Sequence, residues 1–160
     1  MLIHVGQSAW LTMAQTILVA TDGSDHAGRA VTTAAALAGI YDAKLILLHV
    51  LPDVVNENIP KHVEKFVEFE RLDLGEVLNA VGDNIIREAE QIAKEHGAKD
   101  IETVVASGSA SKEILKAADS CNADFIVVGC RGLGDLQGLL LGSVSHKVSH
   151  LAKQTCITVR

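Results

Sequence analysis

Cysteine is scarce. Cys121, Cys130 and Cys156 are scattered and odd in number. They form neither a disulfide framework nor a Cys-x-x-Cys metal pair, which points to a reducing cytoplasm. No apolar run approaches the ~20 residues needed to span a bilayer. The first residues lack the basic cluster and apolar stretch of an export signal, so the expected location is cytoplasmic. Positive charge is also short, with 14 Lys and Arg against 20 Asp and Glu and a net charge of −6. That excludes the broad basic face used to bind nucleic acid or anionic membranes. A small anionic ligand stays open, because local dipoles can outweigh net charge.

Several catalytic signatures are missing. No Gly-x-x-x-x-Gly-Lys-Ser/Thr occurs, so there is no P-loop lysine or magnesium-binding hydroxyl in the usual place. No Gly-x-Gly-x-x-Gly follows the first strand. His146 and His150 share a helix face, but Lys-Val-Ser stands between them without a zincin glutamate, and two histidines are half a metal site. No Gly-x-Ser-x-Gly elbow or Ser/His/carboxylate set suggests a hydrolase. His49, among apolar strand neighbours, reads as a hydrogen-bonded core residue.

What is present is a regular alternation. At 160 residues, 48% of them hydrophobic, the chain suits a single globular domain. Thr16-Ile17-Leu18-Val19-Ala20 is a buried strand, followed by the turn cluster Thr21-Asp22-Gly23-Ser24-Asp25 with a helix N-cap at Ser24 or Asp25. Ala27, Ala30, Val31, Ala34, Leu37 and Ala38 form one face of that helix, and Gly39 is its expected stop. Lys44 to Leu51 is the second strand, completing a right-handed βαβ unit. Residues 53–61 read as loop. Val63, Phe66 and Val67, then Leu78, Val81, Ile85, Ala89 and Ile92, mark one long helix or two broken near Gly75, closed by Gly97. Ile101 to Ala106 is the third strand. The next helix is capped by Ser109 or Ser111, with Ile114, Leu115, Ala118 and Cys121 inward. Phe125 to Val128 is the fourth strand, and Thr155 to Val159 the fifth.

Strands alternating with helices predict an α/β fold with an open, doubly wound parallel sheet and helices on both faces. Residues 15–160 form the expected domain. Residues 1–14 read as a peripheral extension or, alternatively, as an extra edge strand or partner-binding arm.

Between the fourth strand and the last helix lies Gly-Cys-Arg-Gly-Leu-Gly-Asp-Leu-Gln-Gly-Leu-Leu-Leu-Gly-Ser, residues 129–143. Gly129, Gly132, Gly134 and Gly138 permit close backbone approach to a ligand. Gly142 and Ser143 open a helix whose free N–H groups suit an anion. This builds a phosphate cradle, the alternative being a loose surface loop. Arg131 is a fork donor for phosphate or a solvated surface residue. Ser143 and Ser145 are hydroxyl donors, Ser143 serving otherwise as an N-cap. Asp22 accepts from a ribose or base, or does turn duty only. Val50 lines a base pocket or simply the core.

Thr16 to Val159 resembles the universal stress protein, or UspA, family. The resemblance rests on Ile-Leu-Val-Ala-Thr-Asp-Gly-Ser at 17–24, Leu-Leu-His-Val at 47–50, and Gly-x2-Gly-x9-Gly-Ser at Gly129, Gly132, Gly142 and Ser143, followed by Val-Ser-His-Lys-Val at 144–148. It implies sheet order 3-2-1-4-5 and an ATP site. Asp22 and Val50 would contact adenosine, with Ala20 and Thr21 beside them. Gly129, Arg131, Gly132, Gly142, Ser143, Val144 and Ser145 would surround ribose and phosphates, with Mg²⁺ or Mn²⁺ carried between the phosphates. It further implies a homodimer through 155–159, though Thr155-Cys156 stands where many relatives have Pro-Val. Cys130 replaces a common serine. The implied function is a nucleotide-dependent stress-response switch or binding module with at most slow ATP hydrolysis. Its rivals are a nucleotide-free dimeric scaffold and, less well supported, an adenylyl-transfer enzyme.

Overall fold

The computed structural model describes residues 15–52, 73–133 and 141–160. Residues 1–14, the 53–61 loop, Val63, Phe66, Val67, Gly134 and Gly138 lie outside them.

Five strands form one parallel sheet: β1 (Thr16–Ala20), β2 (Lys44–Leu51), β3 (Ile101–Ser107), β4 (Phe125–Gly129) and β5 (Thr155–Val159). Their order is β3-β2-β1-β4-β5, as the resemblance implied. The central strands are buried on both faces, so they read as continuous apolar runs rather than alternating ones. In register, Ala20 of β1 lies between Leu48 of β2 and Val128 of β4.

Helices cover both faces. Ile17, Val19, Leu45, Leu47 and Val127 point to α1 (Asp25–Tyr41) and α2 (Leu74–Glu95). Leu18, Ile46, Leu48, Ile126 and Val128 point to α3 (Ala110–Ser120) and α4 (Ser143–Leu151). The alternation of facing along each strand follows from the pleat.

Helix α1 begins where the turn cluster indicated. The Ser24 hydroxyl accepts the Ala27 N–H at 3.3 Å, and Asp25 complements the dipole. Ala27, Ala30, Ala34 and Ala38 are buried, together with Ala35. Small side chains let the helix lie close on the sheet.

The helix runs past Gly39, however, and stops at Tyr41, with Asp42 as a left-handed cap at φ 53. Gly39 has a different task. A Cβ there would sit 2.8 Å from the Gly97 carbonyl oxygen, so its bare Cα lets α1 meet the turn after α2. Within the described residues α2 starts at Leu74, capped by Asp73, whose carboxylate accepts the Glu76 N–H at 3.0 Å. Gly75 therefore sits in its first turn, and the stretch before Asp73 that decides between one helix and two lies outside the described residues. Helix α3 is capped at Ser109, and β3 extends to Ser107.

Candidate functional site

The carboxyl ends of β1, β2 and β4 open onto one cleft of about 600 Å³. That is the usual ligand position in a doubly wound sheet, because strand order reverses between β1 and β4. The volume lies within the ordinary range for small-molecule sites. Ala20, Thr21, Asp22, Val50, Gly129, Arg131, Gly132, Gly142, Ser143, Val144 and Ser145 all line it. They come together because each lies at the end of a strand, in the loop just after one, or at the start of a helix at the same rim of the sheet.

The floor is fixed by main-chain bonds. The Thr21 N–H donates to the Leu48 carbonyl at 2.9 Å, carrying β1 pairing one residue beyond the strand. His49, buried as its sequence context indicated, donates from Nδ1 to the Thr21 carbonyl at 2.8 Å. This ties the ends of β1 and β2 together from below.

Asp22 bridges two segments. Its Oδ1 accepts the Ser24 N–H at 3.0 Å, forming the turn. Its Oδ2 accepts the Leu133 N–H at 3.0 Å, across 111 residues of sequence. Turn duty is thus half of its role; the other half latches the glycine loop over the end of β1. Gly132 makes the latch possible, since a Cβ there would run into Asp22 Oδ2. Gly129 is equally constrained. Its Cβ would lie 2.8 Å from the His26 carbonyl carbon and 2.9 Å from the Ala27 nitrogen.

The start of α4 carries the anion chemistry. Gly142, not Ser143, is the N-cap, and no side chain caps the helix. The first intrahelical bond runs from the His146 N–H to the Gly142 carbonyl at 2.9 Å. The amides of Ser143, Val144 and Ser145 therefore have no partner within the helix. Ser143 is exposed at this rim.

Ser145 departs from expectation. Its hydroxyl is buried and donates inward, to the carbonyls of Cys130 at 2.9 Å and Gly142 at 3.0 Å. Its proton is committed to holding the loop, so what Ser145 offers the cleft is its N–H.

Arg131 is the one arginine or lysine lining the cleft among the described residues. Its Nε is buried and has no acceptor there. A buried, unsatisfied guanidinium nitrogen calls for a partner beyond the described residues.

Cys130, noted from the sequence only as replacing a common serine, is a hub. Its N–H donates to the Val159 carbonyl at 2.6 Å, and its carbonyl accepts the Gly142 N–H at 2.7 Å. Its thiol lies 3.4 Å from His26 Nδ1, which also accepts from Arg29 Nη2 at 2.8 Å. Leu78, Val81 and Ile85 of α2 supply an apolar wall. Their helical spacing marked the helix, but nothing in that spacing separates a cleft wall from core. The stacked rings of His146 and His150 lie 6.4 Å apart on α4. Neither lines the cleft.

Comparison with known proteins adds the following. The profile of the Universal stress protein family matches residues 13–160. Universal stress protein YxiE of Bacillus subtilis is 37% identical over 147 residues, covering 90% of this chain and 97% of the relative. A universal stress protein solved in complex with cAMP superposes with a TM-score of 0.66 at 32% identity, covering 93% of this chain and 98% of that one. Universal stress protein UspA from Lactobacillus plantarum gives a TM-score of 0.74 at 25% identity, covering 91% and 97%.

Proposed function

The chain belongs to the universal stress protein family, and from that premise we propose that its cleft binds an adenine nucleotide. In this reading the protein is a cytoplasmic, nucleotide-dependent switch or binding module of the stress response, with ATP as its ligand. The observation that carries it is the uncapped first turn of α4 facing the same space as the orphaned Arg131 Nε. Amides and guanidinium together would hold phosphate oxygens. Val50 would back the base, and the Asp22 carboxylate, with lone pairs to spare, would accept from the ribose. The structurally similar protein in complex with cAMP supports an adenine ligand.

Asp22 is the one carboxylate lining the cleft among the described residues, and both its oxygens already accept backbone N–H groups. A divalent ion wants several oxygen ligands. Mg²⁺ or Mn²⁺ would therefore ride on the phosphates rather than in a protein cage. The same engagement leaves Asp22 a poor general base, which fits at most slow hydrolysis. Strand β5 is an edge strand, and pairing two copies through 155–159 would cover its open side. We take residues 15–160 as the functional unit, with 1–14 peripheral to it.

The test is to denature the purified full chain and identify released nucleotide by mass spectrometry, beside a Ser143→Asp variant. An aspartate at the first helical position favours the helix dipole but repels phosphate, so it separates binding from folding. The expected result is adenine nucleotide from the wild type and none from a normally folded variant. No nucleotide from the wild type, even after incubation with ATP, AMP or cAMP and Mg²⁺, overturns the reading in favour of a nucleotide-free scaffold.

A further inference from the structure

His49 does more than tie two strands together. It lies two residues before the end of β2, on the same face as Leu45 and Leu47, which α2 covers. It is 7% exposed and is the one imidazole lining the cleft among the described residues. Three observations converge on this side chain.

The first is its tautomer. Nδ1 lies 2.8 Å from the Thr21 carbonyl oxygen. A carbonyl only accepts, so Nδ1 carries the proton, and in the neutral ring Nε2 is left as an acceptor. The second is that this acceptor is free. No hydrogen bond within the structure reaches Nε2. Nor is Nε2 sealed in the core, since Arg131 Nε is the one buried side-chain polar atom without a partner among the described residues. Its lone pair therefore opens on the cleft that the residue lines. The third is Gly82 of α2, on the helix that gives the cleft Leu78, Val81 and Ile85. A Cβ on Gly82 would lie 3.2 Å from His49 Cδ2 and 3.7 Å from Nε2. Glycine weakens a helix interior; here it leaves the Nε2 edge of the ring uncovered.

Reach connects this edge to the anion end of the cleft. Strand β2 stands two places from β4, about 10 Å across the sheet. A phosphate on the α4 amides and Arg131, beside β4, lays the far end of a nucleoside monophosphate over β2. On a purine that far end carries the substituent at C6. We infer that His49 Nε2 selects the base: it accepts an N–H from a 6-amino purine and disfavours a 6-oxo purine, whose oxygen presents a lone pair in place of that N–H. The inference rests on the nucleotide reading above and adds to it the side chain that sets the base preference.

The experiment compares AMP with IMP by calorimetry, on the full-length wild type and on His49→Asn, at a pH where imidazole is neutral. The asparagine amide reaches about as far as Nδ1, so it keeps a donor for the Thr21 carbonyl and removes Nε2. The wild type should bind AMP about tenfold more tightly than IMP. In His49→Asn, AMP should weaken about tenfold and IMP less than about twofold, so that the preference disappears. A purely structural role would weaken both alike. The ¹⁵N resonance of Nε2 in the wild type gives a second readout that needs no variant, and AMP should shift it while IMP leaves it near its free position. Equal binding of AMP and IMP by the wild type, equal weakening of both in His49→Asn, or an Nε2 resonance that AMP does not move would overturn the inference and leave the nucleotide reading standing. A wild type that binds neither nucleotide would sink that reading, and this inference with it.

Discussion

Two glycine-to-alanine changes at one helix–strand contact should move stability in opposite directions. Gly129 ends β4 directly beneath the start of α1. An alanine Cβ there would lie 2.8 Å from the His26 carbonyl carbon, 2.9 Å from the Ala27 nitrogen and 3.0 Å from His26 Cβ. Carbon contacts become comfortable at about 3.5 Å, so the two backbones must part by about 0.6 Å. Helix α1 has little room to retreat, because Ser24 pins its start and Ala27 and Ala30 are packed on the sheet. Overpacking of this kind costs about 1–3 kcal/mol. At this chain length 2 kcal/mol lowers Tm by roughly 4–8 °C. Gly28, one residue along α1, has nothing within 4 Å of its would-be Cβ. Alanine there gains helix propensity, about 0.5–1 kcal/mol, and should raise Tm by roughly 1–4 °C. Thermal melts by far-UV circular dichroism in one buffer decide it. A Gly129→Ala protein as stable as the wild type, or two variants that shift the same way, would refute the packing argument.

Gly132→Ala should push Asp22 Oδ2 away from the Leu133 N–H and loosen the loop latch. Nucleotide affinity by calorimetry should fall about tenfold, which corresponds to about 1.4 kcal/mol, and an unchanged Kd would count against the latch. Gly39→Ala should destabilise by about 1–2 kcal/mol in denaturant melts, despite better helix propensity, because its Cβ meets the Gly97 carbonyl; a stabilised variant would mean the two turns simply slide apart. The Asp119 carboxyl is held below the ordinary aspartate range by the Gln154 side-chain amide, then by the Lys153 ammonium. A depressed folded value means this contribution is present above the unfolded value, about 3.9, and is lost as pH falls through the folded one. Asp119→Asn should therefore flatten the acid limb of the pH–stability curve, and an identical acid limb in wild type and variant would discount the α3–β5 turn contact.

The strands were legible because Ile17 to Val19, Leu45 to Leu48 and Ile126 to Val128 are buried on both sides, which leaves no polar residue to break each run. The α1 start was legible because Ser24 bonds only three residues away. Features built from distant partners were not. Gly39 looked like a stop because its real neighbour, Gly97, is 58 positions on. The true stop, Asp42, is left-handed without being glycine. Ser145 looked like a phosphate donor because its acceptor, the Cys130 carbonyl, is reached only once the loop has folded back. The eleven residues named from the glycine loop and the family resemblance lie among those lining the cleft, because the topology gathers strand ends at one rim.

The most direct test of the central claim is a crystal structure of the full chain grown with ATP and Mg²⁺. The account predicts phosphate oxygens about 3 Å from the N–H groups of Ser143, Val144 and Ser145, with Arg131 Nε satisfied and the base beside Val50. A nucleotide whose phosphates lie away from the start of α4, or a cleft that stays empty at saturating ATP, would contradict it.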